Sequence, residues 1–412
     1  MIMSMRLLFF SFLFISNSIF TASWNVFMYM DASDNLVDMA FKNITDMMRA
    51  NPSDTVTITI QLHAYNNCAL RYAIQNNNLV FHEEVPLSGD GKRDFIDALQ
   101  WGFADASSGY TMLILSNHGW GALDPQWNEV TQQWEAAEVG ISNTGNAACS
   151  IPNKKMHVDM HKNHKGYMFN GVTKTYISNQ QLTESFTYLQ QEILHRALDV
   201  VVFDTCMGSM IETATALAPY VHYFIGVQSC AMKDGFDYQA GIAILNKEYT
   251  PYNTAIGWVQ AFDDYYAQRD DSQSYTCAAL DLTQAKSVNQ ALDALVMQLL
   301  SDDAYTPLLK QARDENPRFC LWPIYTDLLT FCKNIEQSIS PNDVACLQAF
   351  ADLEKMINQM VIARCGGVLT QNKAHGFSIY LPSQAMDDSY TSSCFATTSQ
   401  WINLLKIVCS ET

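Results

Sequence analysis

Two long apolar runs, each ending abruptly in polar and small residues, constrain most strongly what this 412-residue chain can fold into. Residues 113–121 read LILSNHGWG, and residues 199–208 read DVVVFDTCMG. Strands that are buried on both faces read as continuous apolar runs, and such strands are typical of parallel sheets covered by helices. The sequence therefore predicts two buried parallel strands, the first followed by His118 and the second by Cys206.

Strand and helix patterns alternate along the N-terminal half of the chain. Residues 25–30 and 55–62 have strand patterns, and a helix ending near Arg49 separates them. Residues 92–103 have helical spacing and precede a third strand at 110–115. Strands separated by helices need crossover connections. We therefore predict an α/β fold, a three-layer α/β/α sandwich with a mostly parallel sheet, followed by a largely helical C-terminal region.

The first 23 residues have the pattern of a secretory signal peptide. Arg6 gives a positive start, residues 7–14 are apolar except Ser11, and residues 21–23 are small enough for cleavage. No other stretch reaches the ~18 apolar residues that a membrane span requires. We therefore expect a secreted or periplasmic protein with no stable membrane anchor once the signal is removed.

The net charge limits which molecules the protein can bind, and the cysteine count limits how many of its thiols can form disulfides. A formal charge of −18 argues against binding to nucleic acid and is compatible with a positively charged peptide. The chain has 11 cysteines, so at least one thiol is left over if the others form disulfides. Ten paired cysteines with a free Cys206 fit that count, although any of the 11 satisfies parity equally well.

His118 and Cys206 both follow the carboxyl ends of predicted parallel strands. Functional groups collect at this edge of an open sheet, so the two side chains are expected to meet there. A histidine there takes the thiol proton, and the thiolate is the nucleophile. The helix predicted after Cys206 would lower the pKa of its thiol. The backbone N–H groups of Gly119 and Cys206 would form an oxyanion hole. The alternative is a packed cysteine and a turn histidine without chemistry.

The other histidines give weaker patterns. His375 precedes its predicted strand at 376–381, which places it at the opposite edge of the sheet. His157, His161 and His164 have a spacing of four and three residues, but no cysteine or carboxylate completes a metal site. We therefore predict no metal site.

These motifs resemble those of the clostripain-type cysteine peptidases, relatives of the caspases, gingipains and legumains. The resemblance runs from Trp24 to about Pro382. The matching pieces, in chain order, are DASDNL at 31–36, SNHGWG at 116–121, FDTCMGSMIETA at 203–214, GVQSCAMKDGFDY at 226–238, ALDL at 279–282 and HGFSIYLP at 375–382.

The resemblance assigns roles to particular residues and implies a caspase-like fold. His118 would be the catalytic histidine and Cys206 the nucleophile of a Cys-His dyad. Asp204 and Asp234 would bind the substrate residue before the cut bond, and two carboxylates there favour Arg or Lys. Two departures concern specificity: the glycine after the nucleophile stands one place early, at Gly208, and Cys230 lies where the family is typically acidic or polar.

The resemblance also implies self-cleavage between the histidine and the cysteine. Residues 154–165 form a basic run, and the candidate cleavage sites are its lysines, namely Lys154, Lys155, Lys162 and Lys165. Some family members are stimulated by calcium. No tight ligand loop is visible in the sequence, so no cofactor is required and calcium is at most an optional activator.

The predicted organisation has three parts. Residues 1–23 are the signal peptide, and residues 24–250 form a caspase-like catalytic domain with a surface insertion at 122–175. Residues 251–412 form a mainly helical region that contributes the late strand at 376–381. The predicted function is that of a secreted, self-processing cysteine endopeptidase that cuts peptides and proteins after Arg or Lys. Two alternatives stay open: a catalytically silent relative that binds peptides or a partner, and an acyl-transfer enzyme such as a transpeptidase.

Overall fold

The structure is a computed structural model, and it describes most of the chain after residue 23. The described residues are 24–33, 36–64, 66–106, 109–123, 126–128, 133–135, 167–247, 249–269, 273–316, 324–383 and 385–409. The predicted signal peptide lies outside the described residues.

The strands and helices of the described residues follow in chain order. The strands are β1 (Trp24–Asp31), β2 (Val56–His63), β3 (Cys68–Gln75), β4 (Asn78–Pro86), β5 (Tyr110–Ser116), β6 (Gln126–Asn128), β7 (Gln133–Glu135), β8 (Leu198–Asp204), β9 (Val221–Gly226), β10 (Thr276–Asp281), β11 (Tyr325–Asp327), β12 (Val361–Gly366) and β13 (Ser378–Tyr380). The helices are α1 (Val37–Arg49), α2 (Gly91–Gly102), α3 (Asn179–Tyr188), α4 (Ile211–Leu217), α5 (Tyr238–Leu245), α6 (Pro251–Ala267), α7 (Ala285–Leu300), α8 (Thr306–Glu315), α9 (Leu328–Glu336), α10 (Val344–Met360), α11 (Asp388–Thr391), α12 (Cys394–Thr398) and α13 (Trp401–Val408).

A nine-stranded sheet forms the centre of the fold, in the order β12-β10-β9-β8-β5-β1-β2-β3-β4. The strands from β9 to β2 run parallel to one another, and the two strands at each end are antiparallel to their neighbours. The predicted parallel core is therefore confirmed. Its carboxyl ends share one edge, where the loops after β1, β5, β8 and β9 meet.

Helices cover both faces of the sheet. Alternate residues of a strand point to opposite faces, and in β1 Val26 joins one hydrophobic cluster while Phe27 joins the other. The Val26 side is covered by α1, α5 and α6, and the Phe27 side by α2, α3, α4, α7 and the helices that follow α7. Burial of these two apolar layers stabilises the fold at about 25 cal/mol per Å². The three-layer α/β/α sandwich is confirmed.

The antiparallel strands are the main difference from the sequence prediction. The hairpin of β3 and β4 is missing from the prediction because β4 is largely exposed and polar. The C-terminal region supplies β10 and β12 to the central sheet, whereas the predicted late strand is shorter and pairs with β11 in a separate two-stranded sheet.

The end of the predicted surface insertion is part of the core. Residues 167–170 are all buried. Tyr167 bonds in both directions with Ile177 through their backbones, and its hydroxyl pairs with that of Thr213. This segment is buried because it lies across the loops that follow β1 and β5. Across the described residues, no helix combines the length and apolarity needed to cross a membrane.

Glu212, in the first turn of α4, is a carboxyl group enclosed by the core. Its Oε1 accepts hydrogen bonds from the Tyr380 backbone N–H at 2.8 Å and from the Tyr390 hydroxyl at 3.1 Å. No described group donates to its buried Oε2. Burial raises the pKa of Glu212 to about 7. The helix that follows the Cys206 loop is thus tied to β13 through a carboxyl group that stays largely protonated below neutral pH.

We expect Glu212→Gln to change how the free energy of unfolding depends on pH. A carboxyl whose pKa is higher in the folded than in the unfolded state binds more protons when the protein is folded. Its contribution to the free energy of unfolding is therefore full below the unfolded pKa of 4.5 and is lost as the pH rises to about 7. The loss amounts to about 3 kcal/mol. Glutamine mimics the protonated form, so the variant should lack this decline. Denaturant unfolding across this pH range measures it, with the exposed Glu192→Gln as control. A variant that declines in parallel with the wild type would contradict the assignment.

Candidate active site

The parallel pairing of β5 with β8 brings the two sequence motifs to the same edge of the sheet. Ser116, the last residue of β5, pairs with Asp204, the last residue of β8. The backbone N–H of Asn117 then bonds the carbonyl of Asp204 at 3.3 Å. His118 and Cys206 each lie two residues beyond this last pair, at equivalent positions of neighbouring strands. Both residues are half-buried.

Gly119 packs directly against the backbone of the cysteine loop. A Cβ atom built on Gly119 would lie 2.5 Å from the carbonyl oxygen of Cys206 and 2.8 Å from Oγ1 of Thr205. Carbon atoms are not accommodated at such distances, so only glycine fits here. The predicted oxyanion-hole residues, Gly119 and Cys206, are therefore in backbone contact.

The loop after β9 closes the other side of Cys206. The backbone N–H of Ala231 donates to Cys206 Sγ at 3.2 Å. The neighbouring Cys230 thiol and, after it, burial raise the pKa of Cys206 well above its ordinary value. The thiol is thus the resting form of Cys206.

The sequence-based expectation that a helix lowers the pKa of Cys206 is wrong. Helix α4 begins at Ile211, five residues after Cys206, and its dipole acts only over the first turn. The intervening chain turns at Met207, whose φ of 51° is a left-handed conformation that favours glycine. Gly208 serves a different purpose, since a Cβ there would lie 2.9 Å from Cβ of Phe203.

Asn117 fixes the loop that carries His118. Its side-chain amide donates to the carbonyl oxygens of Asp31 and Phe169, and its Oδ1 accepts the backbone N–H of Phe169 at 3.2 Å. The side chain is buried, so these bonds are shielded from water. The sequence motif contains Asn117, but nothing in the residue pattern identifies it as the link between three loops.

Asp204 lies beneath the loop after β9. Its Oδ2 accepts a hydrogen bond from the Tyr238 hydroxyl at 2.7 Å, and a Cβ built on Gly235 would lie 2.8 Å from the same atom. The residue is 8% exposed, and burial raises the pKa of its carboxyl to about 6. Asp204 is therefore a mostly enclosed carboxylate that changes charge near pH 6.

Asp234 has partners of its own. Its Oδ2 lies 2.7 Å from Nη1 of Arg269 and accepts the Tyr265 hydroxyl at 3.0 Å. The guanidinium group of Arg269 also lies over the Tyr265 ring. Asp204 and Asp234 flank Gly235 and bind different groups. Nothing in the sequence indicates that Arg269 binds Asp234, because Arg269 follows α6 as one charged residue among several.

His375 is not at the opposite edge of the sheet, because its strand β13 is not part of the central sheet. Its Nδ1 is 2.9 Å from Oδ1 of Asp327, and Asp327 Oδ2 accepts the side-chain amide of Gln228 at 2.7 Å. Ser209 Oγ donates to the carbonyl of Gly376 at 2.6 Å. His375 thus lies beside the loops after β8 and β9, and the Gln228–Asp327 and Ser209–Gly376 hydrogen bonds tie the C-terminal region to those loops.

The remaining predicted residues lie elsewhere. The candidate cleavage sites Lys154, Lys155, Lys162 and Lys165 are outside the described residues. Within the described part of the chain, no three His, Cys, Asp or Glu side chains converge in a way that could hold a metal ion.

Comparison with known families identifies the family of the chain. The family model of the clostripain family matches residues 154–407, more than half of the chain. The chain belongs to the clostripain family. Membership makes it a cysteine peptidase by family and confirms the resemblance drawn from the sequence motifs. A search of curated proteins found no match.

Solved structures of this family share the fold at low sequence identity. A secreted C11 cysteine protease from Bacteroides thetaiotaomicron, iotapain, is 15% identical with a TM-score of 0.64, and the match covers 93% of this chain and 99% of that one. An inactive zymogen C11 protease from Parabacteroides distasonis is 14% identical with a TM-score of 0.61, covering 94% and 99%. The Bacteroides thetaiotaomicron protease in complex with an irreversible peptide inhibitor gives 14% identity and a TM-score of 0.63, covering 93% and 99%. At these identities the likeness establishes the caspase-like α/β fold.

We expect Gly119→Ala to damage this clostripain-family site. The added Cβ would collide with the Cys206 carbonyl, so the two loops must separate, at a cost of about 1–3 kcal/mol. Peptidase activity should fall more than stability does, because the separation displaces His118 from Cys206. Thermal unfolding and peptide hydrolysis measure the two effects. The control is Gly257→Ala in α6, whose Cβ would meet only a side-chain methyl of Ile244 at 3.1 Å. Wild-type activity in Gly119→Ala would refute the close packing.

Proposed function

We propose that this chain is an exported cysteine endopeptidase that hydrolyses peptide bonds after Arg or Lys through a dyad of Cys206 and His118. The observation that carries the proposal is the contact of Gly119 with the Cys206 carbonyl. This contact holds the histidine and cysteine loops together at the carboxyl edge of the sheet. Peptide or protein substrates with basic residues also suit the net charge of −18.

The proposed reaction begins with transfer of the Cys206 thiol proton to His118. The thiolate attacks the carbonyl carbon of the substrate, and the backbone N–H groups of Gly119 and Cys206 stabilise the oxyanion. His118 then returns the proton to the leaving amine, and water hydrolyses the thioester. Because the contact with Cys230 and burial favour the neutral thiol, the thiolate is expected to form mainly as an ion pair with protonated His118.

Asp204 and Asp234 are the proposed determinants of specificity. They flank Gly235 in the loop that also supplies the Ala231 N–H to Cys206 Sγ. A substrate guanidinium or ammonium group near this loop would be attracted by both carboxylates. Arg269 already neutralises part of the Asp234 charge, so Asp204 is expected to contribute the larger share.

Export, self-processing and calcium stimulation are parts of the proposal that come from the sequence. The signal-like residues 1–23 and the secreted Bacteroides relative support export. Mass spectrometry of the purified mature chain would locate the signal cleavage and any cut at Lys154, Lys155, Lys162 or Lys165. Activity measured with and without a calcium chelator tests the optional calcium effect.

The dyad predicts that Cys206→Ala and His118→Asn each reduce kcat/KM about 1,000-fold or more, because nucleophile and base act as a unit. His375→Asn is the matched control for the histidine. It keeps an amide near Asp327 and should stay within about threefold of wild type. Hydrolysis of an Arg-containing peptide measures all three variants. Full activity of Cys206→Ala, or equal losses at both histidines, would argue against the dyad.

The specificity assignment predicts a particular pH effect. The Asp204 carboxyl is ionised above its pKa of about 6, so preference for Arg over the neutral isostere citrulline should fall as the pH drops through that value. Comparing kcat/KM for the two substrates at each pH cancels the titration of the dyad. Asp204→Asn should reduce the Arg preference about 10- to 100-fold and abolish its pH dependence.

Three further variants test the neighbouring charges. Asp234→Asn should reduce the Arg preference less than Asp204→Asn does. Arg269→Gln should increase the Arg preference, because it frees the Asp234 carboxylate. Asp237→Asn is the control, because it removes a nearby charge while keeping a residue that can cap α5 through the bond to the Ala240 N–H. If Asp204→Asn and Asp237→Asn behave alike, the specificity assignment fails.

A second candidate function is that of a peptide-binding relative without catalysis. The raised pKa of the Cys206 thiol favours it, because a neutral thiol is a poor nucleophile. A thiol-directed peptide probe separates the two functions. An enzyme labels at Cys206 faster than the denatured chain does, whereas a silent protein labels no faster.

A further inference from the structure

We propose that Cys206 and Cys230 form a reversible disulfide bond, a modification site that closes the candidate nucleophile. The oxidant class is a low-molecular-weight disulfide. Formation of the bond does not depend on the proposed function, and only its effect on hydrolysis rests on that function.

The backbone places the two cysteines opposite each other. The Met207 N–H bonds the carbonyl of Ser229 at 2.9 Å, and the Ser209 N–H bonds the carbonyl of Val227 at 2.8 Å. These two bonds describe a short antiparallel contact, and extending it by one residue pairs Cys206 with Cys230. The pairing brings the backbone of Cys206 alongside that of Cys230, as a disulfide between them requires.

The side chains complete this arrangement. The Ala231 N–H, from the residue next to Cys230, donates to Cys206 Sγ at 3.2 Å, and the Cys230 thiol is close enough to raise the pKa of Cys206. Both cysteines are half-buried, so a small disulfide in solution can reach them. Disulfide formation brings the two sulfur atoms to about 2.05 Å.

Buried polar bonds hold the loop that carries Cys230 in position. Gln228 donates to Asp327 Oδ2 at 2.7 Å and accepts the Gly376 N–H at 3.0 Å, and its carbonyl accepts the Ser378 hydroxyl at 3.1 Å. The loop is therefore tied to the C-terminal region at the residue two places before Cys230. Because this tie limits movement of the loop, the sulfurs stay adjacent in the reduced protein.

The chemistry balances as two thiol–disulfide exchanges. The thiolate of one cysteine attacks a sulfur of the small disulfide, forming a mixed disulfide and releasing one small thiol. The sulfur of the second cysteine then attacks the protein sulfur of the mixed disulfide and releases the second small thiol. The two cysteines lose two electrons and two protons, and the small disulfide gains both to become two thiols.

A second thiol pair in the same chain provides an internal comparison. Cys277 and Cys365 are paired in the register of the antiparallel strands β10 and β12. Cys277 is buried, so an external disulfide should reach that pair more slowly than the half-buried Cys206 and Cys230.

The test uses the full mature protein treated with oxidised glutathione, followed by peptide mapping without reduction. We expect a peptide that links Cys206 to Cys230, formed before any link between Cys277 and Cys365. Hydrolysis should fall to about 10% or less and return with dithiothreitol. Persistent glutathione on Cys206 with a free Cys230 thiol, or two free thiols at saturating oxidant, would overturn the proposal.

Two variants sharpen the test. After oxidation, Cys230→Ser should hold one glutathionyl group on Cys206, because no second thiol displaces it. Cys277→Ser should form the Cys206–Cys230 link like the wild type. The mapping needs no enzymatic activity. A link formed in a protein whose Cys206→Ala variant remains fully active would disprove the proposed function and leave the disulfide standing.

Discussion

Parallel pairing of β5 with β8 is the constraint on which the candidate site depends. Each strand is held by a hydrogen-bonded ladder and is buried on both faces, so its register cannot shift without turning its side chains to the wrong faces. The ladder ends at Ser116 and Asp204, and the two loops continue from that fixed point. Gly119 then allows the loops to touch, because any Cβ would force them apart. Two residues far apart in the chain become neighbours through backbone geometry alone.

Buried polar groups keep the loops around this point in place. Asp31, at the end of β1, accepts the side-chain amide of Asn170 at 2.9 Å and lies 3.0 Å from Nδ1 of His63. Asp204 and Glu212 are enclosed in the same way, each with a tyrosine hydroxyl as partner. Such groups are costly to bury unless they are bonded, so their partners are as much a part of the candidate site as His118 and Cys206 are.

The sequence was sufficient for the buried strands and the edge at which they end, because continuous apolar runs and their terminal residues are local signals. It was insufficient for β3 and β4, where exposed polar residues hide a hairpin, and for β10 and β12, which lie among long helices. The position of His375 was misjudged because a strand pattern does not reveal which sheet the strand joins. Neither the bond between Arg269 and Asp234 nor the contact between Cys206 and Cys230 could be predicted, since both depend on loops that only the tertiary fold brings together.

The strand order has a consequence for what a backbone break would do. A cut at any of the candidate lysines would leave β1, β2 and β5 on one fragment and β8, β9, β10 and β12 on the other. The fragments would share an uninterrupted sheet whose seam runs between β5 and β8, through the middle of the hydrophobic core. Residues 167–170 would belong to the second fragment while still bonded to loops of the first. Proteolytic nicking would therefore yield a tightly held two-chain molecule, and its halves would separate only on unfolding.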